Sequence, residues 1–304
     1  MTANSTPNPV LARLGFPADA RLVIFHLDDV GMCHGSNRAY LELHEAGIVK
    51  TGSLMAPCPW SHEMITICQQ RPDLDLGVHL TLNAEWANYR WGPLSTRDWE
   101  SGLIDETGCF WPLTDITAAN LNVPAAVAEM RAQVAMVDDA GIEFTHIDAH
   151  MLTAMLPDLL PHYIELGFEY RVPVLAVRSF DEESRTFNLG GLDDAAAARL
   201  AESLEERGMP LVDAVRVTPG YGLGDAEGGR AELYERILHE LPPGITYFAI
   251  HANAPGDIET IDPRSAYWRV FEYQYFQSNR LRSFLEQEEI VPIGYEELRE
   301  LMRS

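Results

Sequence analysis

The stretch RLVIFHLDDVGMCHGSN, residues 21–37, decides how the chain is read. Apolar residues Leu22 to Phe25 run through His26 and Leu27 into two adjacent carboxylates, Asp28 and Asp29. A near-continuous apolar run is what a strand needs when helices cover both faces of a parallel sheet. Directly after it, GSNRAYLELHEAG (35–47) has a capping serine, helical periodicity and a terminal glycine. The stretch is therefore the hinge of a βα unit. Neighbouring strand residues point to opposite faces, so both carboxylates can serve one site only where the backbone turns at the strand end.

The same unit recurs along the chain. Strands are expected at 22–27, 49–55, 74–80, 144–148, 174–177, 211–217, 245–250 and 290–293. Helical patterns stand between them at 123–141, 193–208 and 230–244, and the C-terminal third carries another at 271–289. Seven or eight such units predict a single α/β domain over 1–304, a TIM-like and irregular β/α barrel, with residues 1–20 as a peripheral segment. The runner-up is an open doubly wound sheet, but the first βα turn lacks G-x-G-x-x-G, and no Walker A sequence is present. Three stretches break the rhythm: 83–115, rich in Trp, Tyr, Gly and Pro, and 180–195 and 217–229, polar or Gly-rich. On a barrel they become long loops over the C-terminal face.

Composition narrows the partners. The formal net charge of −24 argues against nucleic acid and anionic membrane surfaces. No apolar run approaches the roughly 20 residues of a membrane span. Cys33, Cys58, Cys68 and Cys109 form no C-x-x-C pair and read as reduced thiols, so a cytoplasmic location is expected.

The polar residues worth singling out all fall at strand ends. Asp28 and Asp29 follow the first strand, His79 ends the third, and His146, Asp148 and His150 lie on or after the fourth. Arg178 follows the fifth, and His251 follows ITYFAI (245–250). In a parallel barrel these ends share one face, where barrel active sites sit. One carboxylate with two neutral imidazoles is a divalent-metal site for Zn, Mn, Co or Fe, or for Mg with water ligands. A second carboxylate beside it can serve as general base, and a further histidine as acid. That set suits metal-assisted hydrolysis of an amide or ester.

Three ordered segments then acquire a family likeness. FHLDDVGMCHGSNRAYLELHEAGIVKTGSLMAPCPW (25–60), LDLGVHLTLN (74–83) and FTHIDAHM (144–151) resemble the leading motifs of the YdjC-like, or ChbG-type, carbohydrate deacetylases: A-D-D-F-G, G-x-H-L and H-x-D-S-H. The resemblance covers roughly residues 20–180. It implies a β/α barrel akin to NodB-type deacetylases, and removal of acetyl groups from an N-acetylated small carbohydrate. Residue by residue it implies Asp29, His79 and His150 as ligands of one divalent metal ion and Asp28 as general base. It further implies Arg178 as the basic residue that orients that base, and His251 as the acid for the leaving amine. Val30 stands in place of the family's Phe, Ala149 in place of its Ser, and HANAPG (251–256) in place of its late His-Pro-Gly sequence.

Competing readings stay open at this level. The Asp pair can be a helix cap and a turn acid. His146 and Asp148 either ligate or orient a ligand, and His26 packs within the strand. Trp86, Tyr89, Trp91 and Trp111 form either a sugar-stacking surface or a small core that holds their loop down. FEYQYF (271–276) is a buried helix face or a homodimer interface. Hydrolysis of another amide or ester, and a non-catalytic sugar-binding barrel, are the alternative functions.

Overall fold

A computed structural model describes residues 6–180, 192–217 and 227–304. Among these residues seven parallel strands form one sheet: β1 Arg21–Val30, β2 Thr51–Leu54, β3 Asp75–Leu80, β4 Ile147–Ala149, β5 Ala214–Val217, β6 Gly244–Ile250 and β7 Ile290–Pro292. Their order is β4-β3-β2-β1-β6-β5, and β7 pairs with the first residues of β1. β2 takes over the same edge from His26 onward. The central strands are buried along their whole length, as their apolar runs demand.

The sheet curls into a barrel-like shape without a continuous closing ladder. The gap between β4 and β5 is spanned by 174–177, expected as a full strand. It makes only single bridges, Ile147 to Val174 and Val177 to Val212. Pro173 has no N–H to extend that pairing. The expected TIM-like, irregular barrel of seven or eight strands is thus found, among the described residues, as a seven-stranded barrel-like sheet that does not close. Expected loops 180–195 and 217–229 lie largely outside the described residues.

The helices fall close to their sequence signals. His34–Ala46 ends at Gly47 in the left-handed conformation, φ 82°. Val123–Asp139 starts at Asn122, whose side chain accepts from Ala125 N. Within 271–276, Tyr275 and Phe276 are buried and pack against Tyr234, which favours a buried helix face.

The opposite end of the barrel, where the strands begin, is tied together by Asp75. Its Oδ1 accepts from the hydroxyls of Thr51 and Thr145. Its Oδ2 accepts from the backbone N–H groups of Tyr295 and Glu296, where helix Glu296–Arg303 begins. The N-terminal segment also closes this floor: Val10 and Leu11 are buried, and the Asn8 amide donates to Leu211 O and Asp213.

Candidate active site

The Asp pair works through a local break in β1. Leu27 pairs with Gly52 and Val30 with Leu54, so β1 spends one more residue than β2 between those pairs. This bulge coincides with Asp29 in the left-handed region, φ 64°, a conformation that aspartate tolerates better than most residues. Alternation is broken there, and both carboxylates reach the strand-end face.

Asp29 is 1% exposed. Its Oδ2 accepts from the Arg269 guanidinium at 2.8 Å. Its Oδ1 is buried without a hydrogen-bond partner, 3.2 Å from His150 Nδ1 and 3.7 Å from His79 Nε2. Burial opposes charge on this carboxyl, but Arg269 and then His150 hold it well below the usual carboxylate range. An orphaned buried oxygen facing two imidazole nitrogens is costly as it stands. It is accounted for if a cation lies among the three, and the O/N/N donor set suits the borderline divalent metals.

The neighbours of the two histidines fix which nitrogen each presents. His79 Nδ1 lies 2.8 Å from Asp148 Oδ1 and 3.0 Å from the Ser53 hydroxyl, so Nε2 faces Asp29. His150 turns Nε2 to Glu85 at 3.0 Å and Nδ1 to Asp29. Burial disfavours a proton on His150, but Glu85 and Asp29 outweigh it and push its pKa up to about 10. A cation between Asp29 and His150 would take the place of that proton. Carboxylates behind ligating imidazoles are the usual means of setting ring orientation.

Two other groupings of metal-type donors adjoin this one, His26 with His146 and Asp148, and Asp28 with His79 and Asp148. Most of their atoms are already engaged with one another, Asp28 Oδ2 excepted. His26 Nε2 and His146 Nε2 are 2.7 Å apart, and His26 Nδ1 is 2.6 Å from Asp28 Oδ1. The Tyr247 hydroxyl lies 3.0 Å from Asp148 Oδ2 and 3.1 Å from Asp28 Oδ1. Gly77 explains how His146 fits: a Cβ there would come within 2.4–2.6 Å of its ring atoms. The other face of that imidazole stacks on Tyr295, with centroids 3.9 Å apart. Burial, then the nearby His26, keeps His146 neutral, well below its ordinary pKa.

Asp28 is the more open of the pair, at 14% side-chain exposure, and its Oδ2 is 3.7 Å from His251 Nε2. His251 is held from behind, because its backbone N–H donates to the buried Glu272 at 2.7 Å. Asp28, Asp148, Tyr247 and His251 border one cavity of about 340 Å³.

Arg178 meets a different geometry from the one expected. Arg178 is paired with Glu205 at 2.6 Å and Asp213 at 3.2 Å, and also donates to Thr6 O. Asp213 accepts from Ile245 N at the start of β6, so Arg178 belongs to the barrel floor and does not touch Asp28. Among the described residues the arginine that reaches the Asp pair is Arg269, which contacts Asp29 instead. It comes from helix Ala266–Tyr275 and lies over the rings of Trp86 and Trp268. Nothing in its sequence surroundings set it apart. Among the aromatic candidates, Trp86 and Trp91 are buried and stack edge to face. Trp86 donates to Asp262, Trp91 to Asn83 O, Tyr89 to Met32 O and Trp111 to Gly102 O. These contacts make a small core that anchors loop 83–115 and supports Arg269.

Fold and site together define the class: a parallel β/α protein of barrel type with a carboxylate and two imidazoles converging at the strand C-termini, beside a second carboxylate. Within that class the chain belongs to the YdjC-like protein family, whose model matches residues 22–287. It is 31% identical to a carbohydrate deacetylase of Thermus thermophilus over 81% of this chain and 82% of that protein. It is also 31% identical to a carbohydrate deacetylase of Vibrio cholerae, over 53% of this chain and 61% of that protein. A crystal structure of an Enterococcus faecalis protein, to which cellobiose-phosphate cleavage has been ascribed, superposes with TM-score 0.72 and 20% identity. It covers 92% of this chain and 99% of that one, and shows the same fold.

Proposed function

We propose that the protein is a divalent-metal-dependent hydrolase that removes acetyl groups from an N-acetylated sugar. The observation that carries this reading is the orphaned Asp29 Oδ1, set between His79 Nε2 and His150 Nδ1 with the separate carboxylate of Asp28 alongside. Asp29, His79 and His150 would hold the ion. When bound, it would supply Lewis acidity toward the acetyl carbonyl and acidify the attacking water to a pKa of about 7.

The protein's own groups do the rest. Asp28 takes the proton from the attacking water, while His26 Nδ1 and the Tyr247 hydroxyl keep its Oδ1 in place. Its Oδ2 is left facing the cavity, where His251 is 3.7 Å away. His251 gives a proton to the departing amine, steadied by the bond from its backbone to Glu272. Arg269 occupies the second oxygen of Asp29, which leaves a single oxygen for the ion. The name carbohydrate deacetylase, carried by the Thermus and Vibrio relatives, supports a carbohydrate as substrate and an acetyl group as the group removed.

The test is acetate release from a panel of N-acetylated mono- and oligosaccharides by protein loaded with Zn, Mn, Co or Mg. Release that needs the metal and is lost in Asp28→Asn is expected. Full activity in Asp28→Asn removes the base assignment, and activity untouched by chelation removes the metal.

A further inference from the structure

We propose that the cavity beside Asp28 and His251 is an acyl subsite, and that the enzyme hydrolyses N-acyl amino sugars with chains longer than acetyl more efficiently than the acetyl compounds. This rests on the hydrolase reading above and specifies its substrate class.

The walls carry the argument. Ala149, Leu152, Leu175, Val215, Val217 and Ala249 surround the space with aliphatic side chains. Of the polar groups among the described lining residues, Asp148 is occupied on both oxygens, by His79 and by Tyr247. The Tyr247 hydroxyl is spent on those same carboxylates and His26. Only Asp28 and His251 remain, and the reaction uses both. A sugar ring inside this cavity would bring several hydroxyls and find no free side-chain partner for them among the described lining residues, which costs free energy for each. An alkyl chain has no such demand.

Size points the same way. A cavity of about 150 Å³ lined by aliphatic residues holds a benzene ring. The space here is about 340 Å³, so the methyl of an acetyl group leaves most of the wall against water. The backbone also contributes. Met151 and Leu152, directly after His150, both sit in the left-handed region, at φ 50° and 57°. Two consecutive non-glycine residues there are strained, and both side chains border the cavity. Orientation follows from exposure. His251, 24% exposed, is nearer the rim than Asp28, at 14%, so the protonated amine leaves toward solvent and the acyl chain lies inward.

Burying one methylene is worth about 0.8 kcal/mol, or roughly fourfold in kcat/KM. The test compares N-acetyl-, N-propionyl- and N-butyryl-glucosamine, and their β-1,4-linked disaccharides, with the full chain loaded with metal. The butyryl compound is expected to exceed the acetyl one in kcat/KM by about tenfold or more. Val217→Phe, at a partly exposed position on the wall, is expected to collapse that ratio, with folding checked by thermal unfolding. Hydrolysis of the acetyl compound, with a kcat/KM that stays flat or falls as the acyl chain lengthens, overturns the acyl subsite and leaves the hydrolase reading standing. So does a ratio that Val217→Phe leaves intact. Absence of hydrolysis across the whole acyl series overturns both.

Discussion

Asp28 and Asp29 are neighbours in sequence with opposite surroundings. Asp29 is sealed against Arg269 and two imidazoles, while Asp28 meets the cavity and is gripped by His26 and Tyr247. The proposed division of labour, metal ligand and general base, rests on that difference. Asp28→Asn keeps the shape and removes the basicity, so turnover should fall by on the order of a thousandfold with metal content unchanged. Comparing kcat with metal stoichiometry in one preparation checks this. In the proposed reaction His26 acts through Asp28. His26→Ala should lower kcat on the order of tenfold with little change in KM, and His26→Asn, which keeps a short donor, should recover part of the loss. Equal losses in both variants would make His26 a packing residue. Several of these positions were legible in the sequence, because each sits at the end of an apolar run and the runs must gather on one face. Arg269 was not, since an arginine within a helix carries no mark of what its guanidinium meets. Arg178 was misplaced because a position after a strand does not tell which way a long side chain turns.

At the scale of elements, the bulge in β1 and the Asp75 cluster fix the two ends of the barrel. The bulge answers how adjacent strand residues can share a site. The sequence required a turn at the strand end, but not its form, because a left-handed aspartate leaves no pattern in hydrophobicity. The Asp75 cluster was not foreseen: its donors come from β2, the segment before β4 and the last helix, which no local window joins. Asp75→Ala removes the shared acceptor of two hydroxyls and two backbone N–H groups, and should destabilise the fold by about 3 kcal/mol or more. Denaturant unfolding measures it, and a cost below 1 kcal/mol would deny the cluster its role. The segment 174–177 failed as a strand for a plain reason. Apolar composition permits pairing, but Pro173 and a single bridge on each side limit it.

For the whole molecule, charge and metal are linked. The four cysteines are free thiols, and no described helix is long and apolar enough to cross a membrane. With −24 formal charges and buried carboxylates around the site, a cation should stabilise the chain strongly. pH should modulate that effect in a defined direction. Without metal, the raised pKa of His150, about 10, adds stability that is complete below its unfolded value of roughly 6.5. That contribution is lost as pH rises through 10. Metal competes with the same proton, so the rise in Tm on adding metal should grow with pH over that interval. Thermal scans with chelator and with metal across pH check both slopes. The central claim is that Asp29 closes the metal site, and divalent-metal stoichiometry in the wild-type protein and in Asp29→Asn tests it most directly. About one ion per chain in the wild type and none in the variant is the predicted result. Undiminished occupancy in Asp29→Asn would contradict the account.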